Sequence, residues 1–258
     1  MYQMIDPAEL TVFITGATAG FGAAAARRYV GAGARVIATG RRTDRLEALQ
    51  AELGADKCHI IPLDVRDRPA LEAAIAAIPA PFDAINVVLA NAGLALGLAP
   101  AAESDITDWE TMIATNINGV VSTVHALLPG MIARGGGHIV TLGSVAGDYP
   151  YPGGSVYGAT KAFVKQFALN LRADVQGKNI RVTNIEPGLT ETEFSLVRFK
   201  GDSDKAAKPY ENTAAMNAED IAESIFWVTA LPRHFNVNRL QMMATTQAFG
   251  NFDVYRDK

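Results

Sequence analysis

The sequence predicts an α/β fold: one doubly wound parallel sheet with helices on both faces. Three observations carry that expectation. Seven short apolar runs recur along the chain, and most lack period-two alternation, as strands buried on both faces should. Helix-like stretches rich in Ala, Leu, Glu and Arg lie between them. Strand and helix therefore alternate, which implies right-handed βαβ crossovers and parallel pairing.

The strand candidates, in order, are "TVFITG", "ARVIAT", "CHIIPL", "AINVVLA", "GHIVTLG", "NIRVTNI" and "RLQMMA". The first helix candidate, "FGAAAARRYVGAG", closes on Gly31 and Gly33. The second, "TDRLEALQAEL", has Thr43 or Asp44 as expected N-cap and Gly54 just past its end. A third is "RPALEAAIAAIP". Two longer ones are "WETMIATNINGVVSTVHALLPGMI" and the proline-free stretch from Ser155 through "VYGATKAFVKQFALNLRADVQ". Residues 189–217 are polar, mixed in charge and without clear periodicity, and are expected to form a lid over a pocket.

At 258 residues, 49% of them hydrophobic, the chain suits one domain spanning 1–258 with a sizeable core. Its net charge of −4 argues against a nucleic-acid surface. The lone Cys58 makes no intrachain disulfide and points to a reducing, cytoplasmic compartment. "MYQMIDPAEL" lacks the features of a signal peptide, and no apolar run reaches the roughly 20 residues of a membrane span. His59, His125, His138 and His234 show no metal-ligand spacing, so no metal is expected.

The first strand ends in "TGATAGFG". Glycines at 16, 20 and 22 permit a tight turn and close approach of backbone to a ligand. Simple tight packing would use the same residues. The position favours an anion, because the free N–H groups of the next helix face it. Gly16, Thr18, Ala19, Gly20, Phe21 and Gly22 are thus expected to hold a dinucleotide. The second strand ends "ATGRRTD", with no acid to bind a ribose 2′-hydroxyl and with Arg41 and Arg42 in its place. Either the pair is merely solvated, or it receives the 2′-phosphate of NADP(H), which would offset two cations at a helix N-terminus. Asp64 and Val65 in "PLDV" are candidates to touch the adenine. Asn91 and Gly93 in "LANAG" would line the cofactor, although Asn91 would serve equally as a turn former.

"SVYGATKAF" puts Tyr157 one helical turn before Lys161. A free phenol titrates near 10 and is a poor acid or base at pH 7. An ammonium on the same helix face would stabilise the phenolate. Such pairs are common on ordinary helices, so the pair needs company. Ser144 supplies it: it ends the strand "HIVTLGS", and ligands of parallel sheets bind at the carboxyl ends of strands.

Together "TGATAGFG", "NAG", Asn116 in "TNING", Ser144, "YGATK" and "EPG" resemble the motif set of the short-chain dehydrogenases/reductases over nearly the whole chain. One departure is Ala90, where that family usually has asparagine. The resemblance implies a Rossmann-type fold and NADP(H)-dependent hydride transfer. It implies Tyr157 as general acid or base, Lys161 lowering its pKa and binding the nicotinamide ribose, Ser144 polarising the substrate oxygen, and Asn116 holding a relay water. It adds Pro187, Gly188, Thr190 and Thr192 to the cofactor contacts. It also implies a homotetramer, with helices pairing through a second apolar stripe that includes Phe163 and Phe167.

"ATGRR", "NAGLALG", "DWETMI", "VYGATKAF" and "VRFKGD" are similar to the branch of NADP-dependent 3-hydroxy acid dehydrogenases acting on L-allo-threonine, serine and 3-hydroxypropionate. "ETEFSLVR" and "YPYPG" are similar to sulfoacetaldehyde reductases. Both substrates are small anions. Arg198 would bind the anion in two-point fashion, unless it belongs to a solvated loop with Glu191, Glu193, Asp202 and Asp204. Tyr149 and Tyr151 would wall the pocket or pack beneath the lid. A non-enzymatic NADP-binding regulator is the rival class, and the intact Ser144, Tyr157 and Lys161 argue against it.

Overall fold

The computed structural model describes residues 3–250. All seven expected strands are present, as β1 (Thr11–Thr15), β2 (Arg35–Gly40), β3 (Cys58–Pro62), β4 (Val87–Ala90), β5 (Gly137–Leu142), β6 (Ile180–Pro187) and β7 (Arg239–Met242). They form one sheet in the order β3-β2-β1-β4-β5-β6-β7, with every pair parallel. The strand order reverses between β1 and β4, and a crevice opens there at their carboxyl ends.

The pleat divides the core. Val12, Ile14, Val36, Leu89 and Val140 face one side, where α1 (Gly20–Gly31) and α9 (Ala218–Ala230) cover them with Ala24, Ala25, Tyr29, Ile221 and Ile225. Phe13, Ile37, Val88, Ile139 and Val182 face the other, beneath α3 (Arg68–Ala76), α5 (Gly119–Ala133) and α6 (Ser155–Asp174). The alanine run Ala23–Ala26 is buried throughout and lets α1 lie close on the sheet. Asn217 and Asp220 close a reciprocal capping box at the start of α9. At its far end the buried Arg181 donates to the Val228 and Thr229 carbonyls at 3.0 and 2.7 Å.

Three local expectations need correction. The helix α2 (Thr43–Leu53) begins one residue early, with Arg42 as N-cap, so neither Thr43 nor Asp44 caps it. The stretch around Asn116 is α4 (Ile106–Ile113) and α5 joined by a π-helical segment, Ala114–Asn118. Residues 189–217 are not wholly irregular: they hold α7 (Phe194–Arg198) and α8 (Ser203–Ala207), each too short to leave a periodic signature. Among the described residues no helix is long and apolar enough to cross a membrane.

Candidate active site

A cleft of about 320 Å³ fills the crevice between β1 and β4. Its rim begins with the glycine turn. Gly16 and Gly20 take positive φ of 71° and 52°, which suits glycine. A Cβ on Gly22 would meet the Gly16 carbonyl at 2.4 Å, so α1 starts hard against the turn. Thr18, Ala19, Phe21, Asp64, Val65, Asn91 and Gly93 also line the cleft, as expected from sequence. Asn91 is both turn former and wall: its amide donates to the Thr15 and Gly16 carbonyls at 2.8 and 3.1 Å.

At the end of β2, Arg41 and Arg42 line the same cleft and no carboxylate of that strand competes with them. The Arg42 guanidinium lies on the Thr18 hydroxyl, at 2.9 and 3.2 Å, and bonds Glu193 at 3.0 Å. Arg41 makes no ion pair among the described residues. Glycine backbone packed without room for a Cβ, beside two arginines, fits a dinucleotide carrying a 2′-phosphate.

The chemical end of the cleft is built on α6. Tyr157 and Lys161 project together, with the Lys161 nitrogen 5.8 Å from the Tyr157 ring centre. The buried ammonium donates to the Leu142 carbonyl at 2.7 Å, and burial pushes its pKa down to about 8. Burial pushes the Tyr157 hydroxyl up to about 12, and hydrogen bonding with Ser144 and the charge of Arg198 only partly offset this. The ammonium is engaged by the Leu142 carbonyl, and desolvation is the largest influence on the Tyr157 hydroxyl. Ser144 itself follows β5, accepting from the Ala146 N–H at 3.1 Å and donating to the Pro187 carbonyl at 3.4 Å.

Asn116 is buried in the π-helical segment, a conformation that recurs at functional sites. Its amide accepts from Leu94 N–H at 2.9 Å and donates to Leu94 O and the Thr160 hydroxyl, at 2.8 and 3.1 Å. Those bonds pin the loop after β4 to α6.

Thr192 reaches the cleft, beside Gly20. Pro187, Gly188 and Thr190 do not line it; Gly188 N–H bonds the Met242 carbonyl at 2.7 Å, and the buried Thr190 hydroxyl bonds Gly188 O at 3.1 Å. They hold the end of β6 in place. Tyr149 also turns away, donating to Gln241 at 3.3 Å. Tyr151 and Arg198 also lie outside the cleft lining, next to Tyr157, and the Tyr151 hydroxyl accepts from Arg198. The Arg198 guanidinium sits 5.2 Å from the Tyr157 ring centre and 5.7 Å from Phe194, and its buried Nε has no hydrogen-bond partner.

The sequence reading did not single out Phe194, whose ring packs on Tyr157 at 5.6 Å, nor Thr115 and Val197 on the cleft wall. Phe194 follows the polar run from Thr190 to Glu193, and that contrast was its only signal. Of the acids that the solvated-loop alternative groups with Arg198, Glu193 bridges to Arg42 and Arg45, both at 3.0 Å. Among the described residues no group of three or more His, Cys, Asp or Glu is arranged to hold a metal ion.

A switch-point crevice that pairs a glycine turn with a Ser, Tyr and Lys constellation defines a dinucleotide-dependent oxidoreductase. The chain belongs to the short chain dehydrogenase family, whose model matches residues 10–201. It is 54% identical over 248 residues to the NADP-dependent 3-hydroxy acid dehydrogenase of Escherichia coli (strain K12), covering 96% of this chain and 100% of that protein. It is 53% identical to the sulfoacetaldehyde reductase of Chromohalobacter salexigens, over 95% of this chain and 98% of that protein. A solved closed form of serine dehydrogenase complexed with NADP+ superposes with a TM-score of 0.94 at 54% identity, covering 95% of this chain and 99% of that one.

Proposed function

We propose that this chain catalyses reversible hydride transfer between NADP(H) and a small anionic 3-hydroxy acid, of the class of L-allo-threonine, serine and 3-hydroxypropionate, or the matching aldehyde such as malonic semialdehyde. The observation that carries the anionic substrate is Arg198. Its guanidinium lies over Tyr157, and a buried N–H on it lacks any protein acceptor. A carboxylate on the substrate satisfies that donor and places the neighbouring carbon and oxygen at Tyr157.

In the reductive direction the bound nicotinamide supplies the hydride. Tyr157, protonated at neutral pH, gives its proton to the carbonyl oxygen, and Ser144 holds that oxygen by hydrogen bonding. Lys161, one turn away, would hold the nicotinamide ribose hydroxyls. Arg41 and Arg42 bind the 2′-phosphate, and residues 189–217 close over the substrate. The lone Cys58, fully buried, suits a reducing cytoplasmic setting. Phe163 is 40% exposed and stacks on Phe167 at 6.1 Å, which supports α6 as a pairing face in a homotetramer.

The test is steady-state NADPH kinetics with malonic semialdehyde and sulfoacetaldehyde, and NADP+ kinetics with serine, L-allo-threonine and 3-hydroxypropionate. Arg198→Met lowers kcat/KM for the anionic substrate by at least about tenfold, the loss of one charged hydrogen bond. A smaller loss removes the anchoring role. Sulfoacetaldehyde is the second reading, because Arg198 would hold a sulfonate as well as a carboxylate and a sulfoacetaldehyde reductase is 53% identical.

A further inference from the structure

Glu193 flanks the N-terminal end of α7, and Arg198 is the last residue of the same helix. Five helical residues, about 8 Å, therefore separate a carboxylate aimed at the second-strand arginines from the guanidinium over Tyr157. Phe194 anchors this helix on Tyr157 and on the cluster of Leu94, Ala95 and Met112. Leu196 and Val197 are exposed, and Ser195, buried, hydrogen-bonds Tyr210 at 2.6 Å. The helix is also strapped from both ends. On one side Glu193 divides its two oxygens between Arg42 and Arg45. On the other, Gly97 N–H donates to the Arg198 carbonyl at 2.9 Å and Lys200 pairs with Asp108 at 2.9 Å.

We propose that Glu193 is a positioning residue: through Arg42 and Arg45 it fixes α7, and thereby holds Arg198 over the substrate anion. The inference rests on the anionic-substrate reading above. Arg42 has donors enough for Glu193, Thr18 and a phosphate together, while Arg41 adds a second guanidinium without a competing ion pair. The 2′-phosphate pocket and the substrate-anion pocket then share one strut. A cofactor that seats Arg42 firmly also seats the lid.

The experiment uses the full chain carrying Glu193→Gln. Dissociation of NADPH is measured by fluorescence, and kcat and KM are measured for malonic semialdehyde and for propanal, which has the same carbon count and no carboxylate. Wild type prefers the anionic aldehyde at least tenfold; without that preference the underlying reading fails, and the inference falls with it. The variant raises KM for malonic semialdehyde about fivefold, keeps kcat within about twofold, and leaves kcat/KM for propanal and the NADPH affinity within about twofold, the scale expected for an exposed bridge. Arg45→Gln, which leaves Arg42 and Thr18 intact, moves KM in the same direction. Equal losses on both aldehydes, or weakened NADPH binding with an unchanged substrate KM, overturn the proposal.

Discussion

Lys161 hangs 5.8 Å from the centre of the Tyr157 ring yet gives its ammonium to the Leu142 carbonyl, 2.7 Å away. The ammonium lies on the ring side of Tyr157 while its hydrogen bond goes to the strand end. The protein thus presents a protonated phenol, suited to donate in the reductive direction, and keeps a cation in reserve beside it.

That arrangement has a pH signature. Tyr157, pushed up to about 12, stays protonated across the working range, whereas Lys161, pushed down to about 8, does not. Loss of the Lys161 charge weakens its hold on the nicotinamide ribose, so with carbonyl substrates kcat/KM is expected to be flat below pH 8 and to decline above it. Stability moves oppositely. The Lys161 pKa lies below its unfolded value of about 10.4, so between roughly 8 and 10.4 the unfolded chain binds more protons and folding is favoured as pH rises. A kinetic profile from pH 6 to 10 and denaturant melts over the same range check both signs.

Removing the phenol oxygen removes the proton donor and little else. Tyr157→Phe keeps the ring that packs on Phe194. The expected loss in kcat is on the order of 10²–10⁴-fold with NADPH affinity unchanged within about twofold, read by NADPH oxidation and by fluorescence titration.

Arg42→Ala separates cofactor recognition from chemistry. The loss of a charged donor at the 2′-phosphate is worth about 2 kcal/mol, so KM for NADPH rises at least about tenfold while that for NADH changes little. Parallel loss with both cofactors would mean that the guanidinium only stabilises the fold around Thr18.

Gly22→Ala tests the turn. A methyl at this position meets the Gly16 carbonyl at 2.4 Å and the Asn91 amide at 2.8 Å. Backbone must shift, at about 1–3 kcal/mol, and the expected outcome is a lower Tm with NADPH binding weakened in the same variant. Gly31→Ala is the control, since nothing lies within 4 Å of the added methyl.

The sheet was legible because its five inner strands are buried on both faces, so each is a short apolar run between helices. The glycine turn, the arginines after β2 and the Tyr157 helix were legible because their chemistry depends on local spacing. What escaped was set by long-range geometry. Glu193 meets Arg42 across 151 positions, and no periodicity marks a contact of that kind. Lys161 was correctly placed on the face of Tyr157, but a four-carbon stem swings freely, and only the fold shows that its nitrogen ends on Leu142. Pro187, Gly188 and Thr190, expected from the resemblance to contact the cofactor, lie outside the cleft lining, a depth that sequence order does not encode.

The sheet order also bears on how the chain is made. β1 ends up between β2 and β4, but β4 begins only at Val87. A growing polypeptide can therefore assemble β1, β2 and β3 on the ribosome while one flank of β1, from Thr11 to Thr15, still has bare N–H and C=O groups. Until Val87–Ala90 emerges and docks, that flank is open to pairing with any other extended chain.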